Sequence, residues 1–521
     1  MIPKILVKRT HIEVNNYREG DSSNLERFFS VWDKAYYKFF PKARKIDKGK
    51  KILYLPRGMN IGRLESYFDV NATIDKKVDP FDRGIDIKLA FMPRDEVQKE
   101  AIRFVLGMQE YEYTKHKSQL SINLTTGKGK TYISIVSAAV LKVRTIMITS
   151  SIGWIDQWKD RIMEYTDTRS NEIYVIAGIS SIARIVNGKE DIDKYKYILA
   201  SHMTIKSYGD KYGWHKVGEL FAKLRVGLKI YDEAHIDFDN ICSIDFATNT
   251  YKTLYLTATP ARSDPSENRI YQEAFRNVPA INLFDDDNDP RTRYIAISYS
   301  SHPSPEEISR CMNAYGFNRI GYCSYITERP EFYKLLRALM TIIFRKGKTL
   351  IYIGTNEAIM KVYNWMRVCY PEIADQIGIY TTLITNKEEK EQQLDKMIIL
   401  STTKSCGAAM DIKGLKLTIV LAEPFKSKVI AIQTIGRTRD VGTDYIDIVD
   451  TGFSHLNMYY HEKLKVFQKY ATETAIVRLN DKQLNEAALK EINLQYARCQ
   501  ELMSLRPKRK LIECVKYEPK K

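Results

Sequence analysis

The segment Leu124-Thr125-Thr126-Gly127-Lys128-Gly129-Lys130-Thr131 decides how this chain is read. It follows the apolar run Ser121-Ile-Asn-Leu124 and precedes Tyr132-Ile-Ser-Ile-Val-Ser-Ala-Ala-Val140, which has the character of a buried helix. Glycines between a strand and a helix let backbone N–H groups close around phosphates at the helix N-terminus. The pattern assigns phosphate contacts to Thr126, Gly127, Lys128, Gly129 and Lys130. The Thr131 hydroxyl is placed to ligate Mg2+. Leu124 stands where the strict pattern has its first glycine.

About a hundred residues further on, Asp232-Glu233-Ala234-His235 directly follows the apolar stretch Leu228–Tyr231. A carboxylate at the end of a parallel strand, beside a phosphate loop, is placed to hold a metal ion. This is the reading for Asp232. The adjacent Glu233 can accept a proton from an attacking water.

Outward from these two motifs, short apolar runs alternate with helical stretches from about residue 95 to 284. Examples are Thr145–Thr149, Tyr197–Ala200, Leu228–Tyr231 and Thr253–Leu256. A second alternating set follows the acidic turn Asp285–Pro290, with Thr349–Ile353, Ile377–Tyr380, Met397–Leu400, Thr418–Leu421 and Ile446–Val449. Such alternation implies parallel sheets covered by helices on both faces. The fold class is therefore α/β, with two tandem parallel-sheet domains at 90–285 and 300–470. A small α/β domain at 1–85 precedes them and a helical basic tail at 471–521 follows. The first of these reads as a separable accessory domain, and Asn71–Phe91 as a linker.

The chain has 521 residues, of which 44% are hydrophobic and 28% charged, so collagen-like and wholly disordered classes are excluded. No window approaches the roughly 20 apolar residues of a membrane span. The opening sixteen residues lack the features of a signal peptide, and a cytoplasmic location is expected. Seven cysteines without a CxxC pair argue against a disulfide framework or a structural zinc site. Lysine and arginine exceed acidic residues by 81 − 64 = 17, which favours a polyanionic partner. The densest basic run is Lys42–Lys51, directly after the aromatic run Tyr36-Tyr37-Lys38-Phe39-Phe40. Lys42, Arg44, Lys45, Lys50 and Lys51 read as phosphate contacts, and any exposed aromatic there as a stacking surface for bases. Burial preferences alone assign about half of those aromatics to a core.

With these motifs in order, the sequence resembles the superfamily 2 helicases and translocases. Arg94-Asp-Glu-Val-Gln98 is similar to their adenine-reading glutamine motif, with Val97 where the family has an aromatic. Thr149-Ser-Ser-Ile-Gly-Trp154-Ile-Asp-Gln157-Trp158 and Ala200-Ser-His-Met-Thr204 resemble the first backbone-binding motifs. That likeness implies strand contacts by Ser150, Trp154, Gln157 and Thr204. Thr257-Ala-Thr259-Pro260 resembles the motif that couples hydrolysis to strand movement, with His235, Thr257 and Thr259 as its coupling residues. In the second half, Ile353-Gly-Thr355-Asn356 and Cys406-Gly407-Ala-Ala-Met-Asp411 resemble the fourth and fifth motifs. They imply a strand contact by Thr355 and nucleotide contacts by Gly407 and Asp411. Gln433-Thr-Ile-Gly436-Arg437-Thr-Arg439 resembles the sixth, the source of the arginine finger. Its catalytic candidates are Gln433, Arg437 and Arg439. The family spaces two arginines by three, and here they are two apart, so either can be the finger.

The resemblance covers residues 94–439 and implies two RecA-like domains, ATP hydrolysis with Mg2+ and nucleic-acid binding. Within the superfamily the layout is similar to the phage recombination and repair helicases of the UvsW type. That likeness implies a DNA helicase or translocase acting on branched DNA, by fork regression and branch migration, in the host cytoplasm. The alternatives are an RNA helicase, a transcription-linked translocase, or a nucleic-acid-binding scaffold without ATPase activity. Lys130, Thr131, Asp232 and Glu233, all intact, argue against the last.

Overall fold

The computed structural model describes residues 2–33, 36–124, 129–150, 152–257, 262, 264–283, 292–313, 316–406, 412–435, 442–479, 496–499 and 511–514. The chain divides into two compact units, Met1–Asp286 and Asp287–Lys521.

The first unit is built on a seven-stranded sheet. Its strand order is Ile173–Ile176, Tyr197–Ser201, Thr145–Thr149, Leu228–Tyr231, Lys252–Thr257, Gln119–Leu124 and Ala280–Leu283. Every neighbouring pair is parallel. Several strands are buried along their whole length, as a sheet covered on both faces requires. Alternate residues feed two different cores. Met147, Leu199 and Ile230 join one, and Ile146, Ile148, Ile198 and Tyr231 join the other. The helix Lys130–Leu141 is apolar nearly all round and buried from Tyr132 to Ala139.

The second unit carries an eight-stranded, all-parallel sheet in the order Ile377–Tyr380, Ile398–Ser401, Thr349–Ile353, Leu417–Ala422, Thr443–Asp450, Thr292–Tyr299, Glu473–Arg478 and Leu511–Cys514. Two of these strands correct the reading of residues 471–521 as helical. Ala475 and Val477 are apolar positions that complete the core beside Ile295 and Ile297, so burial in the sheet overrides the local helical character. Thr292–Tyr299 likewise begins the unit earlier than residue 300.

The N-terminal region forms a five-stranded sheet, Lys45–Asp47, Ile52–Pro56, His11–Asn15, Lys4–Val7 and Ala72–Ile74. Its apolar face does not close on itself. Ile12, Val14, Leu53, Leu55 and Leu64 share one core with Phe238, Phe246, Ile270 and Tyr271 of the following α/β layer. Gly58 marks the tightest approach, since a Cβ there would lie 2.3 Å from the Ala274 carbonyl oxygen. The stretch after Ala72–Ile74 runs against the same layer. Phe81 stacks on Tyr251 with ring centroids 5.0 Å apart. Cys242, Cys311, Cys323, Cys369 and Cys406 are free thiols, and Cys499 is disulfide-bonded. Among the described residues no helix is long and apolar enough to cross a membrane.

Candidate active site

Leu124, Thr149, Ser201, Tyr231 and Thr257 are the last residues of five parallel strands. The sheet therefore delivers every first-half motif but Arg94–Gln98 to its carboxyl edge, where open α/β sheets bind ligands.

Gly129 caps the helix Lys130–Leu141 with φ of +94°. The positive φ favours glycine here, and a Cβ would come within 2.3 Å of Gln98 Nε2 and displace that side chain. Gln98 is held from two sides. Its Oε1 accepts from Arg94 N at 2.9 Å, and its own N–H donates to Asp95 Oδ1 at 2.9 Å. The Lys130 ammonium lies 3.1 Å from Glu233 Oε1, and both side chains are largely buried. Thr131 follows in the first helical turn and is half-buried.

Asp232 accepts from the Trp158 indole N–H at 2.9 Å and from the Glu233 backbone N–H at 3.0 Å. Burial, and then the neighbouring Glu233 charge, push its carboxyl above the usual carboxylate range. A cation at this carboxylate would relieve that penalty. Glu233 adopts φ of +49°, a conformation that non-glycine residues rarely hold. The buried His235 places Nδ1 2.8 Å from Thr257 Oγ1. Burial pushes its imidazole down to about 4, so it is neutral near pH 7. Arg262 donates to the His235 carbonyl oxygen and pairs with Glu267 at 2.7 Å.

Trp158 and Arg262 were not singled out by the sequence. Trp158 sits one turn into the helix Ile155–Tyr165, which follows the strand beside Asp232's own. Only the strand order reveals that its indole reaches the carboxylate. Arg262 lies two residues beyond the Thr257–Pro260 motif.

Of the expected strand contacts, Ser150, Trp154 and Gln157 are half-buried at the start of the helical segment that follows Thr145–Thr149. Thr204 departs from expectation. It is buried, its hydroxyl lies 2.9 Å from Ser201 Oγ, and its N–H donates to the same oxygen. It shapes the helix start and offers little surface to a phosphate. In the second unit Thr355 caps the helix Asn356–Cys369 through the Ala358 N–H at 3.2 Å. Thr126, Gly127, Lys128, Thr259, Gly407, Asp411, Arg437 and Arg439 lie outside the described residues, as does the side chain of Gln433.

The basic run Lys42–Lys51 does not present a uniform charged face. Lys42 lies 3.8 Å from Glu267, and the Lys45 ammonium sits over the Trp214 ring at 5.3 Å. Arg44 is half-buried, while Lys50 and Lys51 are exposed.

Residues 91–262 match the family described as the Type III restriction enzyme, res subunit. Three curated sequences are similar. A helicase-type protein, 161L, of Invertebrate iridescent virus 6 is 20% identical over 71% of this chain and 80% of its own length. Transcript termination protein A18 of Yaba-like disease virus is 24% identical over 65% of this chain and 68% of its own. The DNA 3'-5' translocase XPB2 of Sulfurisphaera tokodaii is 29% identical over 33% of this chain and 35% of its own. Among solved structures, Dbp5 of S. cerevisiae bound to RNA and ADP BeF3 superposes with a TM-score of 0.50 at 13% identity, over 79% of this chain and 93% of that one. T4 UvsW aligns over 92% of this chain and 99% of its own at 14% identity, with a TM-score of 0.34.

The fold is that of two tandem RecA-like domains, the second joined to a first that carries a small mixed N-terminal sheet. The matched family and the similar sequences support a superfamily 2 helicase, a group of nucleic-acid-dependent ATPases.

Proposed function

We propose that this chain is an ATP-driven DNA helicase or translocase that acts on branched DNA. The observation that carries its catalytic half is the buried Lys130–Glu233–Asp232 cluster at the carboxyl edge of the first sheet. Lys130 is placed to anchor the terminal phosphates of ATP, and the N–H groups at the start of its helix to receive them. Asp232, aimed by Trp158, and the Thr131 hydroxyl would hold Mg2+, which offsets charge on the phosphates when bound. Glu233 orients the attacking water and takes its proton. The role of arginine finger falls to Arg437 or Arg439, which would stabilise charge on the transferred phosphoryl group. Gln98 would read the adenine.

Three things support DNA as the track: the net charge of +17, the similarity to the DNA translocase XPB2, and the UvsW-type layout of the sequence. Fork regression and branch migration in phage recombination and repair, in a host cytoplasm, are the finest form of this reading. A transcription-linked or RNA-directed translocase is the second reading, favoured by the similarity to the A18 termination protein. One experiment separates them: ATP turnover of the full chain with single-stranded DNA, forked DNA and RNA in parallel. The proposal expects the strongest stimulation by forked DNA. Stimulation by RNA alone transfers the assignment to the second reading.

A further inference from the structure

The antiparallel strands Ser30–Asp33 and Lys38–Pro41 form a hairpin that stands apart from the five-stranded sheet. Four of its large rings are exposed: Trp32 by 46%, Tyr36 by 69%, Tyr37 by 78% and Phe39 by 53%. Apolar rings that could be buried normally are, and an exposed cluster of this kind marks a binding surface. Trp32 and Phe39 are directly opposed, edge to face, with centroids 5.0 Å apart. Tyr36 meets Phe40 in the same manner at 5.7 Å. Edge-to-face packing braces each pair of rings against the other while most of the surface of Tyr36, Tyr37 and Phe39 stays exposed.

The base of the hairpin is anchored. Lys42 N donates to the Phe29 carbonyl at 2.9 Å, and Ala43 N donates to Asp239 Oδ1 at 2.6 Å. Asp239 belongs to the helix Phe238–Ala247, which begins three residues after His235. Lys42 also faces Glu267, the partner of Arg262, which in turn holds the His235 carbonyl. A continuous set of polar contacts thus runs from the ATP site to the foot of the hairpin. Arg27, Lys38, Lys42, Arg44 and Arg269 lie about the hairpin with Glu26, Asp33, Asp239 and Glu267. Lys42 and Asp239 are engaged at its foot and Glu26 by the Tyr17 hydroxyl, while the Lys38 ammonium lies 4.7 Å over the Phe40 ring.

The geometry points to a stacking platform for unpaired bases where a strand leaves a duplex, with Trp32, Tyr36, Tyr37 and Phe39 as the stacking groups. This inference rests on the function proposed above and names how the molecule would recognise a branch. Ring faces stack on any base, while lysines beside them hold phosphates, so such contact is independent of sequence.

The test uses the full chain with the pairs Trp32→Ala/Phe39→Ala and Tyr36→Ala/Tyr37→Ala, plus the conservative Trp32→Phe/Phe39→Tyr. Because these rings are exposed, thermal melting of each variant should overlay the wild type. Binding is measured to a forked DNA carrying 2-aminopurine at its first unpaired position, and to a blunt duplex of the same sequence. The alanine pairs should weaken fork binding about tenfold and abolish the fluorescence change. Blunt-duplex binding should hold, and the conservative pair should recover the fork. Equal fork binding by wild type and alanine variants overturns the platform, as does an equal loss on fork and blunt duplex. Altered sedimentation with fork binding intact would assign the rings to a contact between copies and also overturn it. ATP turnover of the wild type keeps the two readings apart: lack of stimulation by any nucleic acid defeats the proposed function itself.

Discussion

His235 Nδ1 lies 2.8 Å from Thr257 Oγ1. His235 lies past the end of the strand Leu228–Tyr231, and Thr257 is the last residue of the neighbouring parallel strand Lys252–Thr257, whose register pairs Tyr231 with Tyr255. With its imidazole neutral, His235 can use one ring nitrogen toward the hydroxyl without placing a buried charge there. The contact joins the Asp232–His235 turn to the strand end that precedes Arg262.

That link predicts an uncoupled variant. Thr257→Val keeps shape and removes the hydroxyl. ATP should still bind and turn over, while strand displacement per ATP falls. Stability should drop by about 1 kcal/mol, the usual net worth of one such hydrogen bond. Parallel assays of phosphate release and duplex unwinding on one preparation check it. Proportional loss of both would mean that Thr257 serves chemistry alone.

The proposed mechanism makes hydrolysis depend on Lys130 and Glu233. Lys130→Ala removes the phosphate anchor and also the cation beside the buried Glu233 carboxylate, so ATPase activity and unwinding should vanish together. Glu233→Gln retains shape and loses the base. It should bind ATP normally and turn over about 10²–10⁴-fold more slowly, the usual contribution of a positioned general base. A fluorescent ATP analogue measures affinity, and phosphate release measures turnover. Normal turnover in Glu233→Gln would remove it from the base role.

The meeting of Lys130 with Asp232 and Glu233 was legible in the sequence, because glycine-rich turns and acidic residues that follow apolar strands have fixed local patterns. Lys130, Asp232 and Glu233 needed only spacing and flanking apolar runs. Trp158 and Arg262 were hidden because their partners are set by strand order, which local sequence does not encode. The aromatic run Tyr36–Phe40 was ambiguous for a related reason. Apolar rings are normally buried, and only the hairpin pairing shows Tyr36, Tyr37 and Phe39 facing outward, with Trp32 beside them. The strands Glu473–Arg478 and Leu511–Cys514 escaped because their pairing is with residues far away in sequence.

The arginine finger gives a prediction that sequence alone supplies. Arg437→Ala and Arg439→Ala should differ sharply. The variant that removes the finger should lose about 10³–10⁵ in turnover with little change in nucleotide affinity. The other should resemble wild type in hydrolysis. Near-normal turnover in both would exclude either residue from the finger role.

The N-terminal sheet offers the last prediction. The sequence suggests a detachable accessory domain, from which removal of residues 1–85 would leave ATPase activity largely intact. The shared core argues for the opposite outcome. Ile270 and Tyr271, with exposures of 0% and 4%, are covered by Ile12, Val14, Leu53, Leu55 and their neighbours. Deletion would uncover them together with Phe238 and Phe246, on the helix that follows the catalytic turn. The truncated chain should therefore aggregate or unfold, taking ATP hydrolysis with it. A gentler variant isolates the cause. Ile270→Ala creates a cavity at this seam and should cost about 2–5 kcal/mol. If the sheet and the α/β layer form one cooperative unit, hydrogen exchange should rise in Leu53–Leu55 and in Phe238–Phe246 alike. Protection lost only on the α/β side would mean that the N-terminal sheet folds independently, and the deletion would then be the cleaner experiment.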